Sequence, residues 1–191
     1  MQEIIALNLR TSIFIIITLL WWAEFIIFPS QHEDQTTGKS FYYILGTILF
    51  SIGCSLTLRQ LGVANLAEDR LLTAQTLGLA IYFFGLLVRY WSLILLGDYF
   101  TRGVSVETKQ DLISVGPYKF LRHPLYLALF LLTLGAVVFI ANWVGIILTV
   151  IMMLLALRYR IVVEEKQLEE IIGEQYRSWK SDRYRLFPFI Y

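Results

Sequence analysis

The sequence predicts an all-α, polytopic membrane protein with about five transmembrane helices and a C-terminal cytoplasmic amphipathic helix. Three observations predict it. Of the 191 residues 57% are hydrophobic and 16% charged, uncharged runs recur at lengths near that of a membrane span, and the charge is gathered into short segments between them. Soluble chains average about 45 to 50% apolar and about 25% charged residues, so the composition alone sets this chain apart. No linker rich in Pro, Gly and Ser divides it, and residues 1–191 read as a single integral-membrane domain. A net charge of +1 argues against nucleic acid as a partner and leaves membrane lipid as the expected surround. The one cysteine, Cys54, excludes an internal disulfide and a multi-cysteine metal site.

A helix needs roughly 20 mostly apolar residues to cross the hydrocarbon layer. The first such run, about Thr11 to Phe28, has no small-residue cleavage site after Trp21, Trp22 and Glu24 and is expected to remain as a span. The second runs from about Phe41 to Leu58, and the third from about Thr73 to Leu96 with Arg89 inside it. Each carries two glycines seven apart, Gly46 with Gly53 and Gly78 with Gly85, which puts each pair on one face where helices 2 and 3 could approach closely. The fourth and fifth, about Leu125 to Ile140 and Trp143 to Leu157, are joined by Ala141 and Asn142 alone and read as a tight helical hairpin. His32 sits with Glu33 and Asp34 in a polar loop, where it reads as surface; no His, Cys and carboxylate cluster has metal-ligand spacing, and no metal is predicted.

Five spans place the termini on opposite sides. Lys39, Arg102, Lys109, Lys119, Arg122 and the seven basic residues of the tail lie on one side, against Arg10, Arg59 and Arg70 on the other. The positive-inside rule then expects an outside N-terminus, with the third loop and the tail both in the cytoplasm, where they can form one site.

That loop ends in Gly116-Pro117-Tyr118-Lys119-Phe120-Leu121-Arg122-His123-Pro124-Leu125-Tyr126. Pro124 suits the first turn of the fourth helix, so Arg122 and His123 fall beside a helix N-terminus, whose free N–H groups attract carboxylates or phosphates. Taken alone, the run reads first as a cytoplasmic positive-inside anchor with a turn, because Arg and Pro are common at span boundaries. Beyond the fifth span, Ile161, Glu165, Leu168, Ile172 and Tyr176 share one helical face if the helix continues. Glu165 is an acid on an otherwise apolar stripe, costly unless paired, and Arg158 stands two turns back on roughly the same side. Glu164 is open between ligand contact and surface.

Gly-Pro-Tyr followed by Arg-His-Pro-x-Tyr, the short hairpin, Arg158-x-Arg160, the Glu164-Glu165 pair, Gly173-x-x-Tyr176-x-x-Trp179 and Arg185-x-x-Pro188 together resemble the isoprenylcysteine carboxyl methyltransferase family. Leu87-Val88-Arg89, Gly97, Phe100 and Val104 are also similar to that family's third span and following loop, whereas the first two spans match only as apolar helices. The resemblance implies a membrane enzyme transferring methyl from S-adenosylmethionine to a lipidic or prenylated acceptor. It implies a two-span N-terminal part, residues 1–72, and a catalytic and cofactor-binding part, residues 73–191. It implies Gly116, Tyr118, Arg122, His123, Pro124, Tyr126, Glu164 and Glu165 around the cofactor. Arg89 and Arg158 are the candidates to hold an acceptor carboxylate and are grouped with Glu165 as catalytic. Arg89 is also close enough to its span end to snorkel. The glycine-rich fingerprint of dinucleotide-binding sheets is missing from the sequence. Two other activities stay open: phospholipid N-methyltransferases share the arrangement, and membrane sterol reductases, which use NADPH, share Arg-His-Pro-x-Tyr and the ending from Tyr184 to Tyr191.

Overall fold

A computed structural model of the chain describes residues 2–28, 38–97 and 112–188. His32, Glu33, Asp34, Phe100, Arg102, Val104, Lys109 and the last three residues lie outside them. The described residues form six α-helices: α1 Gln2–Ile27, α2 Gly38–Gln60, α3 Glu68–Leu96, α4 Pro124–Ile140, α5 Trp143–Ile172 and α6 Glu174–Ser181, with a 3-10 turn at Gly116–Lys119 ahead of α4. Four helices, α1, α2, α3 and α5, are long and apolar enough to cross a membrane, and α4 is a shorter apolar helix. The protein is an integral, multi-pass membrane protein. The five apolar helices fall where the five apolar runs lie, with α5 continuing past Leu157 to Ile172.

Helix α4 is apolar around its whole circumference, as expected of a helix enclosed by others. It packs against α3, α5 and α2, while α1 leans on α3. Leu132, Ala136 and Val137 of α4 are buried with Met153, Leu157 and Ile161 of α5 and Tyr82 of α3. Large apolar residues stay exposed on the outer faces, among them Trp22, Phe50, Phe84, Trp91 and Leu155, as lipid contact requires.

The glycine pairs behave differently from the expected α2–α3 contact. Gly78 and Gly85 of α3 meet α4 instead. A Cβ on Gly78 would lie 2.5 Å from Phe139 N, and one on Gly135 of α4 would lie 2.5 Å from Tyr82 N. Gly46 and Gly53 face open space. The backbones of α3 and α4 therefore touch through glycine, which in lipid gains packing that larger side chains would prevent.

The hairpin turn is fixed by local chemistry. Ala141 adopts a left-handed conformation (φ 62°), and Asn142 caps α5 by accepting from Gly145 N at 2.9 Å. Asn142 Nδ2 also donates to Val63 O at 2.7 Å, and Trp143 N donates to Ala64 O at 2.9 Å. The α2–α3 and α4–α5 turns are thus stitched together at one end of the bundle. At the opposite end α3 finishes, α4 begins and α5 continues. Thirty residues rise about 45 Å, so the C-terminal turns of α5 stand clear of a layer about 30 Å thick. The helix does not run on to Tyr176. It breaks at Gly173 (φ 68°), and the amphipathic α6 folds back so that Tyr176 is still buried.

Candidate functional site

Three pieces of chain meet at the end of the bundle where α4 begins: the segment 115–124, the last turns of α5, and the tail after α6. Gly116 starts the first piece in a left-handed conformation (φ 57°), with Trp91 and Leu95 of α3 so close that a Cβ would lie 2.5 Å from Leu95 Cδ1. The 3-10 turn that follows buries Tyr118 against α3. The tail then lies alongside in a short parallel bridge between Leu121 and Tyr184. Tyr184 N donates to Phe120 O at 3.0 Å, Arg122 N to Tyr184 O at 2.8 Å and His123 N to Arg185 O at 3.2 Å. Pro124 occupies the first turn of α4, where a missing N–H costs nothing.

Glu165 is the hub of this assembly. Its side chain is 4% exposed, and Arg122 Nη1 donates to Oε1 at 2.7 Å while Arg185 Nε donates to Oε2 at 2.9 Å. His123 Nε2 lies 3.3 Å from Oε1. Burial by itself would raise the carboxyl's pKa. The hydrogen bond from His123 and the field of His123, Arg122 and Arg185 overcome it and hold the group down at about 2. The unusual acid on the apolar stripe is therefore paired, and it joins α5 to both the loop and the tail.

Glu164 is placed differently. Its side chain is 26% exposed and accepts from the Tyr126 hydroxyl, and His123 Nδ1 lies 3.8 Å from its Oε1. Tyr126 stacks on His123 and accepts from Arg160 Nε at 2.9 Å. Arg122 Nε donates to Arg183 O at 2.9 Å, and Arg183 Nε donates to Tyr118 O at 3.0 Å while its guanidinium covers the Trp179 ring. Tyr176, 1% exposed, has a hydroxyl with no hydrogen-bond partner among the described residues. Burial, with Glu165 and Glu164 nearby, pushes that hydroxyl up, so it is a neutral donor facing acidic company.

The structure brings together Gly116, Tyr118, Arg122, His123, Pro124, Tyr126, Glu164 and Glu165. Arg158 does not join them. It is exposed on α5, whereas Arg160, two residues on and therefore on a different face, is buried and reaches Tyr126. The four-residue spacing from Arg160 to Glu164 was the available signal. Arg89 neither snorkels nor stands alone. It is 6% exposed and grips Glu24 of α1 through Nε to Oε2 at 2.8 Å and Nη2 to Oε1 at 2.7 Å. Its Nη1 lies 3.4 Å from Leu125 O, at the start of α4. Tyr118 lies within the field of both charge sets. Burial pushes its phenol up, with Arg89 opposing and Glu164 reinforcing the shift. Glu24 was missed as a partner, although an acid and a base inside two different apolar runs are themselves a signal.

Comparison with known proteins agrees with this architecture. Residues 77–170 match the family model "Isoprenylcysteine carboxyl methyltransferase (ICMT) family". The uncharacterized protein YpbQ of Bacillus subtilis is 34% identical over 84 residues, 44% of this chain and 50% of that protein. The protein-S-isoprenylcysteine O-methyltransferase of Schizosaccharomyces pombe is 27% identical over 109 residues, 56% of this chain and 46% of the relative. The Tribolium castaneum protein of that name is 27% identical over 116 residues, 60% of this chain and 41% of the relative. The chain thus spans about half the length of the relatives it matches. A solved structure of the eukaryotic intramembrane Ras methyltransferase ICMT superposes with a TM-score of 0.62 at 20% identity, over 88% of this chain and 60% of that one, which speaks to the fold. The match to the isoprenylcysteine carboxyl methyltransferase family runs through the helices that carry Arg89, the Arg122-His123 loop and the Glu164-Glu165 pair, and over that stretch the chain is similar to that family.

Proposed function

We propose that the chain is an integral-membrane methyltransferase that uses S-adenosylmethionine to methylate the carboxylate of a lipidic or prenylated acceptor. The observation that carries this reading is the composite end of the bundle, where carboxylates from α5 and cationic groups from the loop and tail converge beside a buried, carboxylate-binding arginine. The donor set suits the cofactor. Glu164, partly exposed, matches its ammonium group or ribose hydroxyls, and Arg122, Arg185 and His123 match its carboxylate. The Tyr176 hydroxyl, buried with no hydrogen-bond partner among the described residues, is a donor that a bound ligand would satisfy. Gly116, Tyr118, Pro124 and Tyr126 shape the remaining wall, and Glu165 ties loop, tail and helix into one unit.

When bound, the cofactor supplies an electrophilic methyl group on a positively charged sulfur. The chain's residues have the tasks of orientation and exclusion of water. An anionic acceptor attacks without losing a proton, so no general base is needed, and the approach of opposite charges is favoured in a dry site. Arg89, within the bundle, orients the acceptor carboxylate, and the apolar outer faces admit its lipid part from the side. A prenylated acceptor is the class that gives the two O-methyltransferase relatives their name. The charge distribution supports a cytoplasmic placement for the site end, with the N-terminus outside.

Calorimetry on the detergent-solubilised protein is expected to show tighter binding of S-adenosylmethionine than of NADPH; the reverse preference overturns the reading. His123→Ala and Glu165→Ala are expected to lose cofactor affinity while the chain still inserts and folds. Normal affinity in both sinks the residue assignment.

A further inference from the structure

We infer that Glu24 is an internal competitor for the acceptor carboxylate, occupying the Arg89 guanidinium until an ionised acceptor displaces it. The inference rests on the acceptor being a carboxylate, as proposed above, and deepens that reading. Glu24 is 1% exposed and Arg89 6%, and the two bonds between them, 2.8 and 2.7 Å, are the parallel pair that a guanidinium makes with one carboxylate. A single carboxylate fills that fork. A second one arriving while Glu24 stays bound would bury a net negative charge, which apolar surroundings oppose. The position of Arg89 gives the exchange a purpose. Its Nη1 reaches toward Leu125 O, one residue from Tyr126 and two from His123, and Tyr118 feels both Arg89 and Glu164. The guanidinium therefore stands between Glu24 and the start of α4 at the cofactor end.

The exchange is selective by charge. An ionised acceptor replaces Glu24 at equal charge when the released Glu24 carboxyl takes up a proton, which it gives back on returning to Arg89, whereas a methyl ester brings no charge to exchange. Once the acceptor oxygen carries a methyl group its charge is gone, and Glu24 regains the fork. Substrate entry is thus matched to the ionised form, and the product loses its anchor on formation. A purely structural pair would pin α1 to α3 and do nothing else.

Equilibrium binding of N-acetyl-S-farnesylcysteine and of its methyl ester to the solubilised full chain separates the two. Glu24→Gln keeps an amide to meet Arg89 but removes the competing charge. It is expected to tighten the carboxylate about tenfold, the equivalent of about 1.4 kcal/mol, and to leave the ester and S-adenosylmethionine within about twofold. Glu24→Asp, which keeps the charge and shortens the reach, is expected to shift the carboxylate the same way by about threefold, and it serves if the Gln variant does not fold. Unchanged or weakened carboxylate binding in a folded variant overturns the inference, as does an equal shift for carboxylate and ester. Transfer of labelled methyl to the same acceptor by the unmodified chain is scored separately. Its absence alongside a tightened carboxylate overturns the methyltransferase reading and leaves the competitor standing.

Discussion

Glu165 and Glu164 are neighbours in sequence with different consequences when lost. Replacing Glu165 by Gln removes the charge that Arg122 and Arg185 share, at a cost on the order of 2 to 3 kcal/mol, since one guanidinium is partly screened by solvent. Because its folded pKa, about 2, lies below the ordinary value of 4.5, the carboxyl contributes stability fully above that ordinary value. The contribution shrinks as pH falls below it and is gone once pH passes below about 2. Thermal unfolding in detergent from pH 6 down to pH 3 should show a falling melting temperature, with a shallower fall in Glu165→Gln. Equal slopes would remove Glu165 as the hub. The two arginines of α5 separate in the same way. Arg160→Ala should weaken S-adenosylmethionine binding by about tenfold or more through Tyr126, whereas Arg158→Ala should leave it within about twofold. Arg158 looked equivalent in sequence because helical spacing relates it to Glu165. Spacing defines a face but not which neighbour covers that face, and the covered residue is Arg160.

At the level of elements, the α3–α4 seam is the most sensitive packing. Gly78→Ala and Gly135→Ala each put a methyl group 2.5 Å from backbone and should cost about 1 to 3 kcal/mol or more, whereas Gly46→Ala and Gly53→Ala meet open space and should be neutral or stabilising by about 0.5 to 1 kcal/mol. Melting temperatures of the four variants in one detergent check the contrast, and a uniform loss across all four would contradict it. The spans were legible because an apolar run of membrane length has few alternatives to a crossing helix. The glycine pairs were legible as contact surfaces, but their partner was not: α4 follows only after the loop, and nothing local says that it fills the groove beside α3. The break at Gly173 was also hidden, since the apolar periodicity continues through it to Tyr176.

Across the whole molecule, two ends are built in different ways. One is stitched by backbone and amide bonds among short turns, Asn142 with Val63 and Trp143 with Ala64. The other is held by charges and aromatic rings drawn from the loop, α5 and the tail. The loop, the Glu pair and the tail arginines could be read as members of one site from their order along the chain, together with the family likeness. The Glu24–Arg89 pair could not, because α1 matches the family only as an apolar helix and 64 residues separate the partners.

The short α4 has a further consequence. Seventeen residues rise about 25 Å, roughly 5 Å less than an average hydrocarbon layer, and the residues that begin α4 belong to the site. The bilayer must dimple toward them, or the site lies slightly below the headgroup plane, at the depth where an amphiphile's polar tip already resides. Turnover reconstituted in phosphatidylcholine vesicles should then fall as acyl chains lengthen from 14 to 22 carbons, since thicker leaflets bury the entrance; a rate indifferent to chain length would place the entrance in open water.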